Sequence, residues 1–256
     1  GDVLAGFDLV TIKVTNRALP GPQPALVILA GQHSREVVNP EIAMRFLAYL
    51  TQGYGSDPDA TAIVDGREVW IVPLVNPDGH WYVELGASAK YGGTPFGWRK
   101  NGNPTNGWGP WPPTSASHAG VDLNRNHDFQ WTATGTTYTS RNPVSQYYNG
   151  AAPASEPETQ ALQSLLRTIF PSRPGLVLNL HSNSAGGRGI GWPWCYTTAP
   201  PPDAAGLAAV GQKLASLNGY TAAQWSAVNG YLGPGCTEDW VYGTLGVPSL
   251  IFEIGI

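Results

Sequence analysis

Residues 25–30, ALVILA, form a short unbroken apolar run, and residues 31–36, GQHSRE, follow it directly. Six apolar residues in a row do not alternate in and out. They suit a strand buried on both faces, as in a parallel sheet covered by helices. The polar turn then falls at the strand's C-terminal end, where open α/β sheets place their ligands. The pattern recurs outward along the chain. Residues 69–75 (VWIVPLV), 176–180 (LVLNL) and 248–253 (PSLIFE) read as further strands, and 8–15 (DLVTIKVT), partly alternating, as another. Helical patterns lie between them. Pro40 opens one through Ile42, Met44, Phe46, Leu47 and Leu50, and Ser155 with Glu158 makes a capping box for a helix to about 170. Asp203 caps a helix to about 217 that Gly219 ends, and Thr237 caps a short one through Leu245 with Gly246 at its end. NPDG at 76–79 reads as a turn, and 86–120, rich in Gly, Pro, Asn, Ser and Trp, as a long functional loop. Strands alternating with helices predict one α/β domain over residues 1–256, with a mixed, mostly parallel central sheet and helices on both faces.

Composition agrees and excludes other classes. A chain of 256 residues can bury a full core, and 42% apolar against 12% charged residues is not the balance of a disordered chain. A net charge of -4 with no Lys/Arg run offers no field for nucleic acid. No apolar run approaches a membrane span. The two cysteines, Cys195 and Cys236, are a disulfide or two buried thiols, and alone they form no zinc spacing.

Chemistry-bearing residues cluster at the predicted strand ends. His33 and Glu36, three apart, can converge on one metal from a tight turn; the plain alternative is a solvated turn. His181 follows LVLNL, where a lone His is more often a hydrogen-bonded structural residue. Two His and one Glu together, however, leave the open fourth position of a catalytic zinc. His80, His118 and His127 lie in loops or turns and are poorer ligand candidates. Asn124 and Arg125 offer an amide and a guanidinium fork that suit a carboxylate, and Asp122 can orient a ligating imidazole from behind. The bland reading of that stretch is an Asn-rich surface turn. Glu253 ends the run SLIF, so it sits at an exposed tip or beside a cation, where it would be a general base.

With these residues in view, the chain resembles the zinc carboxypeptidase family, which includes the pancreatic carboxypeptidases and their bacterial relatives. The matching segments are AGQHSRE (30–36), VNPDG (75–79), WRK (98–100), GVDLNRN (120–126), SEPET (155–159), LHSNS (180–184), Tyr231 with EDW (238–240), and IFE (251–253). They occur in the family's order and span nearly the whole chain. The resemblance implies one Zn2+ held by His33, Glu36 and His181. It implies that Glu253 activates the metal-bound water and passes a proton to the leaving amine, and that Arg99 helps stabilise the oxyanion. It places Asn124 and Arg125 on the substrate's terminal carboxylate, Tyr231 as the tyrosine that closes over it, and Arg35 beside the residues upstream of the cleaved bond.

Further expectations follow from the same resemblance. Cys195 and Cys236 fall on positions lining the specificity pocket and would form a disulfide across its wall. Glu238 falls at the pocket's base and would favour Lys or Arg as the last residue; a helix-dipole role facing solvent and dual specificity are the alternatives. The domain would lack the family's N- and C-terminal helices. The protein would be a secreted monomer, a peptidase acting on peptides or proteins with a free C-terminus, with no nucleic-acid or membrane partner. Two rivals are a cell-wall peptidase cleaving at a diaminopimelate bond and a catalytically dead binding module. The ligands and base are all retained, which argues against the second.

Overall fold

The computed structural model describes residues 6–94, 96–103, 119–133, 138–183 and 187–255. The apolar run at 25–30 becomes β2 (Ala25–Leu29), parallel to β3 (Glu68–Val72) on one side and to β4 (Gly175–Asn183) on the other. β7 (Ser249–Gly255) pairs parallel with β4. Around these four lie β1 (Ile12–Val14), antiparallel to β3, and β5 (Gly189–Trp192), antiparallel to β7 and parallel to β6 (Thr221–Gln224). The sheet order is β1-β3-β2-β4-β7-β5-β6.

β2 is apolar throughout because both its faces are covered. Val27 and Leu29 pack with Leu162 and Leu166 of α4 (Pro157–Ile169) and with Trp240 of α7 (Thr237–Leu245). Ile28 and Ala30 turn the other way, onto Ala43 and Leu50 of α1 (Val38–Gly53) and Val64 of α2 (Pro58–Gly66). α5 (Ala204–Asn218) covers the β5 side through Leu207 and Ala215 against Ile190, Trp192 and Leu250. The mixed, mostly parallel sheet with helices on both faces is the one expected.

Several local readings need correcting. NPDG is not a free turn: Asn76 caps α3 (Pro77–Gly86) by accepting from the Gly79 N–H at 3.0 Å, and Pro77 occupies the first helical turn, where no N–H is needed. The Ser155–Glu158 capping box does not form. Pro157 starts α4, Glu156 holds the cap position without a side-chain bond, and the Glu158 carboxylate accepts from Asn101 Nδ2 instead. Thr237 is inside α7; Cys236 precedes it, and its Sγ accepts from the Asp239 N–H at 3.4 Å. Asp203 precedes α5, but its carboxylate accepts from the Tyr242 hydroxyl at 2.8 Å rather than capping. Gly219 and Gly246 end their helices with φ of 72° and 66°, as expected. The strand expected at 8–15 shrinks to β1, and the one at 69–75 spans β3. α2, β5, β6 and α6 (Trp225–Asn229) were not foreseen. Of the loop expected over 86–120, residues 95 and 104–118, His118 among them, lie outside the described residues.

Candidate active site

The site is assembled at the C-terminal ends of the parallel strands. After β2, Gly31 turns the chain at φ 64°; a Cβ there would lie 2.6 Å from Leu74 Cδ1, so only glycine fits the turn that leads to His33. The next turn closes when the Glu36 N–H donates to the His33 carbonyl at 3.1 Å, which puts both side chains on the same side. His181 lies within β4 rather than just past its end, and it pairs in register with Glu253 on β7. His33 and His181, 148 positions apart in the chain, thus become neighbours.

His33 Nδ1 lies 2.8 Å from Glu36 Oε1 and 3.0 Å from His181 Nδ1, while His181 Nδ1 lies 3.2 Å from Glu36 Oε2. Ligands about 2.0–2.1 Å from a tetrahedral zinc sit about 3.3 Å from one another, so the two imidazole nitrogens and the Glu36 carboxylate lie close enough to share one coordination shell. All three residues are buried. The second oxygen of Glu36 also accepts from Asn39 Nδ2 and the Ser182 N–H.

Asp122 stands behind this group, as expected. Its Oδ1 lies 3.2 Å from His33 Nε2, and its Oδ2 accepts from Arg99 Nε at 2.9 Å. An imidazole that gives its Nε2–H to Asp122 presents the Nδ1 lone pair inward, the form a metal needs. Burial, then Arg99, holds His33 below its ordinary pKa, which keeps it neutral. Burial works to raise Glu36, but His33 and His181 outweigh it and leave its carboxyl well below the usual range. Burial opposes charge on His181 too, yet Glu36 raises its pKa, so a cation binding there would have to displace a proton.

Glu253 faces the same space. Burial pushes its carboxyl up to about 7; His181 and Arg99 lower it, while Glu36 raises it. It is neither at an exposed tip nor alone, but beside His181 in the sheet.

A cavity of about 360 Å3 opens in front of these groups, lined also by Arg35, Arg99, Asn124, Arg125 and Tyr231. Arg125 is not the free fork expected from sequence. Its Nε donates to the Tyr138 carbonyl and its Nη1 to the Asn124 carbonyl, both at 2.6 Å, leaving buried Nη2 without a partner among the described residues. The Asn124 side chain accepts from the Thr237 N–H at 2.8 Å and turns its Nδ2 towards His181 Nε2 at 3.5 Å. Arg35 donates to Gln146 Oε1 at the rim.

Glu238 is fully buried and does not reach the cavity wall. One oxygen accepts from Asn179 Nδ2 at 2.8 Å, and the other has no partner among the described residues. The expected disulfide is absent: Cys195 and Cys236 are brought together, but as two buried free thiols. Burial raises both thiol pKa values, that of Cys236 to about 12, so each keeps its proton and packs as a small apolar group with Trp225 and Ile251.

Sequence reasoning missed the aromatic wall. Tyr138 stacks on Tyr231 with ring centres 3.9 Å apart, Tyr147 meets Tyr138 edge-on, and Trp225 meets Tyr231 edge-on at 4.7 Å. Apart from Tyr231, which the resemblance singled out, these are scattered aromatics in the sequence, with no spacing to mark them.

A family model described as zinc carboxypeptidase matches residues 1–256. Carboxypeptidase A1 of Rattus norvegicus is 30% identical over 237 residues, covering 91% of this chain and 51% of that protein. Carboxypeptidase B of Bos taurus is 29% identical over 248 residues, covering 94% and 53%. The chain therefore spans about half the length of these curated relatives. The solved structure of thrombin activatable fibrinolysis inhibitor is similar with a TM-score of 0.78 at 27% identity, over 96% of this chain and 57% of that one.

Proposed function

The chain belongs to the zinc carboxypeptidase family, and from that premise we propose that it removes the last residue of peptides bearing a free C-terminal carboxylate. One observation carries the reading: three convergent metal donors, the Glu253 carboxylate and an unpartnered Arg125 nitrogen face one cavity. His33, Glu36 and His181 would hold zinc, which supplies Lewis-acid polarisation of a carbonyl or water. The other roles fall to the chain's own groups. Glu253 takes the attacking water's proton and later gives it to the leaving amine. Arg99, fixed by Asp122, stands by the developing oxyanion. Arg125, with Asn124 and Tyr231, holds the terminal carboxylate, and Arg35 meets the upstream residues. Zinc-loaded protein should cleave a free-acid peptide much faster than its C-terminal amide, and a chelator should abolish the difference. Equal rates on acid and amide would refute the reading.

The A1 and B relatives match the chain about equally, so similarity does not choose the preferred last residue. We propose a basic one. The support is the unpartnered, fully buried Glu238 oxygen, on a carboxylate close enough to act on the thiols of Cys195 and Cys236, which form a cluster with Trp225 of the cavity wall. A Lys or Arg side chain entering past that cluster would supply the missing donor. The ratio of kcat/KM for C-terminal Arg over Leu peptides should exceed one and collapse in Glu238→Ala. A wild type that prefers Leu, with a ratio unmoved by the substitution, would show that Glu238 does not read the substrate.

A further inference from the structure

Arg125 cannot meet a carboxylate with its Nε edge, because that N–H already donates to the Tyr138 carbonyl. Only Nη2 lacks a partner among the described residues, whereas a carboxylate has two oxygens to satisfy. Asn124 and Tyr231 share that task in the reading above, and the cavity wall holds one further buried donor that no sequence motif marks. Trp225 opens α6 directly after β6 and lines the cavity with its indole. It is 1% exposed, and its Nε1 has no acceptor among the described residues.

The backbone brings the indole and the guanidinium together. Arg125 Cζ lies 5.7 Å from the Trp225 ring centre. Gly233 sits between them: a Cβ there would lie 2.8 Å from Trp225 Cη2, 3.0 Å from Arg125 Cζ and 3.1 Å from its Nη2. Glycine at 233 thus lets the benzo edge of the indole and the guanidinium approach each other. A buried N–H left without an acceptor is costly, and two such donors on residues lining one cavity can both be satisfied by one anionic group with two acceptor oxygens. A lone alkyl or cationic side chain would satisfy neither.

Resting on the carboxypeptidase reading above, we propose that Trp225 is a binding residue whose indole N–H donates to the substrate's terminal carboxylate alongside Arg125 Nη2. Trp225→Phe keeps the ring and removes the N–H. For a free-acid peptide, KM should rise about tenfold with kcat little changed, as for loss of a hydrogen bond to a charged group. Cleavage of the C-terminal amide should not change, so the acid-over-amide ratio falls. The loss should be the same for Leu-ended and Arg-ended peptides. A loss confined to one of them would mean that the indole reads the side chain and would overturn the proposal, as would an unchanged acid-over-amide ratio in a wild type that discriminates. A wild type without discrimination would remove the underlying reading as well. Should Trp225→Phe not fold, the zinc-loaded Glu253→Gln enzyme supplies an independent measurement. Among the indole N–H signals of its ten tryptophans, one should move downfield on adding an N-acetylated dipeptide acid but not the corresponding amide. If no indole signal distinguishes acid from amide, Trp225 does not bind the carboxylate.

Discussion

Burial sets the proton affinity of Glu253 before any peptide arrives. A carboxyl raised to about 7 is a stronger base than one in water, while a dication held by its neighbours pulls it down from there. Replacing it with the isosteric amide leaves the shape and removes the base. Glu253→Gln should lower kcat by about 10²–10⁴-fold with zinc content unchanged by metal analysis; retained turnover would assign the base elsewhere. The candidate ligands were legible in sequence because His33, Glu36 and His181 are polar residues set against apolar runs, where burial demands a reason. Arg125 was legible as a candidate carboxylate binder, but not the two carbonyls that occupy its other nitrogens, since those come from folding of Tyr138 and the Leu123–Arg125 turn. Trp225 carried no signal, because a single Trp in TAAQWSAVN reads equally well as core.

Among the elements, α4 holds a titration that the capping-box reading misdirected. Glu158 does not cap the helix; it is buried against Asn101, and burial, with nearby Glu156 and Asp78 also raising it, pushes its carboxyl up to about 7. The folded pKa lies above the unfolded value of 4.5, so the folded state keeps this proton longer. Its contribution to stability is full below about 4.5 and is lost as pH rises to about 7, with a ceiling of about 3 kcal/mol. Glu158→Gln mimics the protonated form. It should raise Tm by several degrees at pH 8 and hardly at all at pH 4.5; equal gains at both pH values would show that charge at Glu158 is not the cause. α3 shows why some elements escaped sequence reading. Asn-Pro-Asp-Gly is good turn chemistry and equally good helix-start chemistry, and only the Lys100 carbonyl packed beside Asn76 and Gly79 decides between them. β5 and β6 are four-residue strands of GIGW and TAAQ, too short and too poor in branched residues to register.

For the molecule as a whole, the parallel middle of the sheet was readable because strands buried on both faces must be continuously apolar, whereas its β5–β6 margin was not. The candidate metal donors link the turn after β2 to β4 across 148 residues, so ligation there would act on the global fold. Removing zinc should lower Tm, and returning it at a thousand times its Kd should recover about 4 kcal/mol, or about 10 °C. A Tm indifferent to chelation would mean that the three donors do not bind the metal in the folded state. The pairing of His181 with Glu253 on β4 and β7 has a practical corollary. A final strand displaced by one residue would turn Glu253 to the opposite face while both histidines stayed in place. Such a molecule would carry its full complement of metal and be inert. Zinc per chain is therefore a poor gauge of a preparation's quality. Turnover per zinc is the better one, because it counts only those molecules whose last strand came home in the right register.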